Sequence, residues 1–262
     1  MELKVDGQAV FAATGGRPFD PGLPAIIFLH GAGLDHTVWA LQTRYFAHHG
    51  RSVLAVDLPG HGRSEGTPLD SIPALADWVA RLIEAAGLSE AALVGHSMGA
   101  LVALDCAARH GDAVRALALL GAAPAMPVHP ELLGAAEANQ HLAVDLVTSW
   151  GHGPTGHLGG SLAPGLWLLG GGERLLETAE PGVLFIDLRA CAEYQGGLET
   201  AAAVGCPALL VIGAQDRMTP AKAGRKLAEA IPGARVETIA GCGHMMMAEK
   251  PDETLDALKS AL

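Results

Sequence analysis

In Gly95-His96-Ser97-Met98-Gly99 a serine stands between glycines two positions away on either side. The apolar run Ala91–His96 precedes it, and "SMGALVALDCAARHG" follows with helical character, so the serine falls on a strand-to-helix turn. A hydroxyl placed there is lifted clear of the backbone, and a bend that sharp admits only the smallest neighbours. The helix beyond it aims free N–H groups and its positive dipole end at an anion forming on a carbonyl that the serine attacks. The pattern points to acyl transfer with Ser97 as nucleophile.

A serine hydroxyl needs a general base, and the base needs an acid to orient it. Both belong on loops that follow later strands. Asp216 follows the apolar run "ALLVIG" in "AQDRMTP", and His244 follows "RVETIA" in "GCGH". Asp105 is a poorer acid because it lies in the helix that starts at the serine, and Asp187 falls in an irregular stretch. Among the 12 histidines only His244 occupies a base's position. His48, His49 and His110 fall near helix ends, and His152 and His157 are expected on the surface of the irregular segment. A second oxyanion donor is expected from "FLHGAGLDHTVW", where "HGAG" follows an apolar strand. The N–H groups of Ala32 and Met98 make the expected pair, and Gly31 lets the backbone approach the substrate. Gly31, His96, Trp150, Trp167 and Met245 are the expected pocket residues.

"GCGHMMMAEKP", Gly241 to Pro251, combines thiol, imidazole and three thioethers, the ligand types a soft metal chooses. A metal on His244 would occupy the lone pair that Ser97 requires, and Cys242 lacks a CxxC partner. No metal is expected there; the methionines read as pliable apolar filler, some lining the pocket and some packing beneath the last helix.

These groups require a scaffold of buried strands with loops at one end. "AIIFLH", "SVLAVD", "AALVGH", "LALL", "ALLVIG" and "RVETIA" are strand candidates, most of them continuously aliphatic, as in parallel sheets covered on both faces. Helical patterns alternate with them: "DSIPALADWVARLIEAAG" puts Ile72, Leu75, Val79, Leu82 and Ile83 on one face, capped at Asp70 or Ser71 and stopped at Gly87. "PAKAGRKLAEAIPG" and "PDETLDALKSAL" supply later helices, and Asp6-Gly7 joins an N-terminal hairpin. The alternation predicts a doubly wound, mostly parallel α/β sheet. Residues 124–205 break it, and so long a structureless loop is improbable in a compact domain. A helical insertion is expected there, with helices near Glu131–Trp150 and Ile186–Ala203, flanked by a core made of residues 1–123 and 206–262.

The chain has 262 residues and a formal charge of −11, with no block of Lys or Arg, which argues against nucleic acid or an anionic membrane as partner. Its longest apolar run, Ala116–Val128, is interrupted by Gly121, Pro124 and Pro127 and is shorter than the roughly 20 residues of a membrane span. The N-terminus "MELKVDGQAVF" has no signal-peptide pattern, so a cytoplasmic location is expected. The 4 cysteines, Cys106, Cys191, Cys206 and Cys242, are scattered and read as free thiols of a reducing compartment.

The motifs "LHGAG", "DLPGHGRS", "VGHSMGA", "GAQDRMTP" and "GCGHMMMAEKP", in this order, resemble the α/β-hydrolase superfamily over nearly the whole chain. The resemblance is to its small cofactor-free branch of carboxylesterases, enol-lactonases, carbon–carbon bond hydrolases and perhydrolase-type enzymes. It implies an eight-stranded sheet, a cap inserted after the sixth strand, the order nucleophile, acid, base for Ser97, Asp216 and His244, and no cofactor. It also implies that Asp57 and His61 hold backbone near the site. Ser97 stands where dehalogenases and epoxide hydrolases carry aspartate, and Ala100 where the menaquinone-pathway lyase carries arginine, which disfavours those activities. The expected substrate is a small, neutral, moderately hydrophobic ester or lactone, with carbon–carbon hydrolysis or a slow-turnover receptor role as alternatives. Oligomeric state is not written in these features.

Overall fold

The computed structural model describes residues 1–157, 159–161 and 165–262. The sheet contains β1 (Glu2–Val5), β2 (Gln8–Ala13), β3 (Ala25–Leu29), β4 (Ser52–Val56), β5 (Ala91–His96), β6 (Val114–Leu120), β7 (Ala208–Gly213) and β8 (Arg235–Ile239). Its order is β1-β2-β4-β3-β5-β6-β7-β8, with β1 and β2 antiparallel and the rest parallel. The expected hairpin is present: Asp6 and Gly7 both take positive φ between the paired Val5 and Gln8. Every residue of β3, β4, β5 and β7 is buried, which accounts for their unbroken aliphatic sequence. Strand β8 alternates more polar residues because it forms the sheet edge.

Successive strand residues face opposite layers. Ile27, Leu29, Leu93 and Leu117 pack under α2 (Ile72–Ala85) and α3 (Met98–Arg109), together with α9 (Ala221–Ala230). Ile26, Phe28, Val94 and Val211 pack under α1 (Ala40–His48), α10 (Met246–Glu249) and α11 (Pro251–Lys259). Helix α2 buries Ile72, Leu75, Val79, Leu82 and Ile83, as its spacing predicts, and starts after Ser71.

Between β6 and β7 lie α4 (Pro130–Glu137), α5 (Leu142–Gly151), α6 (Leu168–Glu177), α7 (Val183–Glu193) and α8 (Gly197–Ala202). The helix expected over Glu131–Trp150 is two helices, broken where Asn139 takes φ 49° and its side chain accepts from the Gly182 N–H. The helix expected over Ile186–Ala203 also divides, because Gly196 takes φ 84°. Helix α6 was hidden by Gly170, Gly171 and Gly172. Two of these are packing positions: a Cβ at Gly170 would lie 2.5 Å from the Trp167 ring, and one at Gly172 would lie 3.1 Å from His152. Leu132, Ala135, Ala143 and Leu188 form a small separate core under α4, α5 and α7. No helix among the described residues is long and apolar enough to cross a membrane.

Candidate active site

Ser97 joins β5 to α3 with φ 54° and ψ −117°, a conformation uncommon for any residue with a Cβ. The flanking glycines are obligatory for a steric reason. A Cβ on Gly95 would sit 2.1 Å from the Gly99 carbonyl oxygen, and one on Gly99 would sit 2.5 Å from the carbonyl oxygens of Leu29 and His30. The turn therefore presses β5, α3 and the end of β3 together and leaves Ser97 lining a cavity of about 340 Å³.

Strand β3 leads to the expected second donor. Neutral His30 accepts from the Leu58 N–H through Nε2 and donates from Nδ1 to the Gly31 carbonyl at 2.9 Å. Burial, with the nearby His61, pushes its pKa down to about 4. The Leu34 N–H also binds the Gly31 carbonyl, and the Gly33 N–H donates to Asp187 at 2.8 Å. Among the described residues the N–H groups of Ala32 and Met98 have no acceptor. Gly31 is needed here, because a Cβ would lie 2.9 Å from His96 Nδ1.

Asp216 and His244 are brought together. His244 Nδ1 donates to Asp216 Oδ2 at 2.7 Å, and both side chains are buried. The Thr219 hydroxyl donates to the same oxygen, while the N–H groups of Met218 and Thr219 donate to Oδ1. Burial raises the Asp216 pKa, but His244 and these hydrogen bonds outweigh it and hold the carboxyl below its ordinary range. With a carboxylate on Nδ1, the imidazole keeps its lone pair on Nε2. That nitrogen has no hydrogen-bond partner among the described residues, and His244 lines the same cavity as Ser97.

The His244 loop is held from three sides. His96 Nε2 donates to the His244 carbonyl at 3.0 Å. The N–H groups of His244 and Met245 both donate to the Gly151 carbonyl at the end of α5, at 2.9 and 3.0 Å. Buried Glu249 completes the clamp: one oxygen accepts from the Gly243 N–H at 3.1 Å, the other from the Gly153 N–H at 2.8 Å and the Thr155 hydroxyl at 2.9 Å. Gly121 makes room for the imidazole, since a Cβ there would lie 2.8 Å from His244 Cε1.

Gly31, Ala32, His96, Trp150 and Met245 line the cavity. Met98 is fully buried in the core below its own N–H. Trp167 does not line the cavity, contrary to expectation. Its backbone is extended where it caps α6, the ring folds over Gly170, and the residue is 53% exposed. His152, expected on the surface, is buried and lines the cavity, because its Nδ1 caps α5 by donating to the Thr148 carbonyl. Asp187 is helical and buried, joined to His61 Nε2 at 2.8 Å and so tying α7 to the "DLPGHGRS" loop. Burial opposes the His61 cation, but Asp187 and the Pro59 carbonyl raise its pKa overall. Asp57 does hold backbone, accepting from the N–H groups of His36 and Arg63. Met246 and Met247 are core, and burial pushes the Cys242 thiol up, away from the thiolate form a metal would need.

Most of the remaining wall is apolar, with Leu34, Leu132, Val147, Leu176, Leu184 and Leu188, while His129, Thr148 and Thr219 add polar groups. Among the described residues Arg217 is the one lining side chain with a permanent charge, and it is exposed. A largely apolar wall with a few polar groups is the usual make-up of a small-molecule site.

Residues 26–257 match the model of the alpha/beta hydrolase family. The pimeloyl-[acyl-carrier protein] methyl ester esterase of Aromatoleum aromaticum is 33% identical over 248 residues, covering 88% of this chain and 94% of that one. A putative carbamate hydrolase, RutD of Klebsiella pneumoniae, is 27% identical over 252 residues, covering 86% and 85%. The solved enol-lactonase of Burkholderia xenovorans LB400 superposes with a TM-score of 0.87 at 22% identity, over 99% of this chain and 98% of that one.

Proposed function

The chain belongs to the α/β-hydrolase family, and on that premise we propose that it hydrolyses a small carboxylic ester or lactone through Ser97, His244 and Asp216. One observation carries the reading: the buried His244 ring is held by Asp216 on Nδ1, while its Nε2 has no partner among the described residues and stands in a wall of the cavity that Ser97 lines. In the first step Ser97 Oγ attacks the ester carbonyl as its proton passes to His244 Nε2. Asp216 holds the ring and favours the imidazolium. The Ala32 and Met98 N–H groups receive the oxyanion, a contribution of about 2.7–4 kcal/mol per donor in well-formed sites. The alcohol leaves with the proton from His244, and water, deprotonated by the same nitrogen, then attacks the acyl-enzyme.

The substrate follows from the wall. Leucines and Val147 favour a neutral, moderately hydrophobic chain, and the names of the relatives favour an ester bond. One relative is named for a carrier-protein substrate, but here residues 124–205 carry eight carboxylate side chains besides the buried Asp187, against Arg174 and Arg189. Such a surface repels an anionic carrier, so a free small molecule is the better fit. The helices between β6 and β7 act as the cap that shapes its site.

The test is a p-nitrophenyl ester series of increasing acyl length, run on the wild type and on Ser97→Ala. Turnover by the wild type with loss of at least a thousandfold in Ser97→Ala is expected. Retention of full turnover by Ser97→Ala would remove the proposed mechanism.

A further inference from the structure

The cavity holds a second histidine that the reaction above does not use. His152 follows α5, is 5% exposed and lines the cavity. Its Nδ1 donates to the Thr148 carbonyl at 2.9 Å, the ordinary duty of a histidine closing a helix. That bond fixes the proton on Nδ1 and leaves Nε2 as a bare acceptor. Among the described residues nothing donates to Nε2, and the ring sits in a slot made for it. A Cβ on Gly156 would lie 2.7 Å from His152 Cβ, and one on Gly172 would lie 3.1 Å from Cε1. Both glycines thus keep the imidazole in one place at the cavity wall. The helix-closing role explains Nδ1 and leaves Nε2 unexplained. Thr148, one turn earlier in the same wall, also has a buried hydroxyl without a partner. Buried polar atoms in folded proteins almost always have partners, so the unmet Thr148 hydroxyl, beside an imidazole whose one hydrogen bond among the described residues is made by Nδ1, marks where a ligand's polar group belongs.

We propose that His152 is a specificity-determining residue whose Nε2 accepts a hydrogen bond from a hydroxyl group on the substrate, away from the ester carbonyl. The substrate class is then a hydroxylated ester or lactone with an otherwise apolar chain. Burial lowers the basicity of this imidazole, which suits a neutral acceptor and disfavours a carboxylate partner. The inference rests on the hydrolase reading and narrows its substrate.

The experiment compares kcat/KM for methyl esters of six- and eight-carbon acids in four forms: unsubstituted, β-hydroxy, ω-hydroxy and ω-carboxy. Each is run on the wild type, His152→Phe, His152→Gln and Ser97→Ala. The wild type should prefer one hydroxylated form over its unsubstituted parent by about tenfold, the scale of one hydrogen bond made in a desolvated site. His152→Phe should bring that ratio to about one through loss on the hydroxylated ester. His152→Gln, which can place an acceptor near the Nε2 position, should restore part of it. A fold-only role would lower both esters together and leave the ratio intact. An unchanged ratio in His152→Phe, or a wild type that favours the unsubstituted or carboxylated esters, overturns the proposal. Ser97→Ala separates the two readings: continued turnover by that variant sinks the hydrolase mechanism, whatever the His152 ratio shows.

Discussion

Glu249 offers the sharpest perturbation of the scaffold that carries His244. Its two carboxylate oxygens accept from the N–H groups of Gly153 and Gly243 and from the Thr155 hydroxyl, so all three partners are donors. In Glu249→Gln the amide supplies one oxygen and one NH2 group. If the oxygen faces Gly153 and Thr155, the NH2 confronts the Gly243 N–H; in the other orientation it confronts the Gly153 N–H and the Thr155 hydroxyl must turn to accept from it. The milder case removes one charge-assisted hydrogen bond and leaves a buried N–H unmet, a cost of about 2–4 kcal/mol. At about 2–4 °C per kcal/mol for a domain of this size, the melting temperature should fall by roughly 4–16 °C. The loss extends to activity. Gly153 is two residues from Gly151, whose carbonyl holds the His244 and Met245 amides. Releasing that segment lets the imidazole drift, and a displacement of about 1 Å is enough to lower kcat at least tenfold. Thermal melts and steady-state kinetics on one ester, with Glu249→Asp for comparison, measure both effects. A Glu249→Gln protein that melts within a degree of the wild type and turns over at the same rate would refute the reasoning.

Three other outcomes follow from the same geometry. Gly121→Ala places a methyl 2.8 Å from His244 Cε1 at a residue with φ 59°, and should cut kcat about a hundredfold while circular dichroism still reports a folded chain. Asp187→Asn leaves His61 and the Gly33 N–H without their carboxylate and should destabilise by about 3–5 kcal/mol in urea unfolding. The pH dependence has two limbs. Folding raises the His61 pKa, so its contribution is complete below the ordinary histidine value and fades as pH rises through the folded value. Folding lowers the Asp216 pKa, so its contribution is present above the ordinary carboxylate value and is lost as acid approaches the folded one. Urea midpoints across pH should show the alkaline limb in the wild type and not in Asp187→Asn.

The features legible in the sequence were those whose causes are local. Gly95 and Gly99 bracket Ser97 because the clash they avoid involves the turn itself. The buried strands announce themselves because both faces of β3, β5 and β7 are covered. Met245 and its two neighbours could be divided between cavity and core in kind, and the fold supplies the assignment. What escaped depends on contacts across the chain. Glu249 meets Gly153 and Thr155 over separations of 96 and 94 residues, so no spacing rule marks it. Gly121 looks like any glycine ending a strand until the imidazole is placed against it. His152 escapes because a histidine amid Gly and Pro reads as loop surface, while α6, itself disguised by three glycines, packs Gly172 against its ring. Thr219 had a usable signal: an aspartate followed three residues later by threonine makes a local turn that satisfies the carboxylate.

The central claim is that Ser97 is the residue that becomes acylated, and a fluorophosphonate probe tests it most directly. Labelling followed by peptide mass mapping should put a single adduct on Ser97, with loss of ester turnover in step with labelling. Glu249→Gln should label more slowly, and Ser97→Ala not at all. An adduct on another residue, or full ester turnover by a protein whose Ser97 is completely modified, would contradict the account.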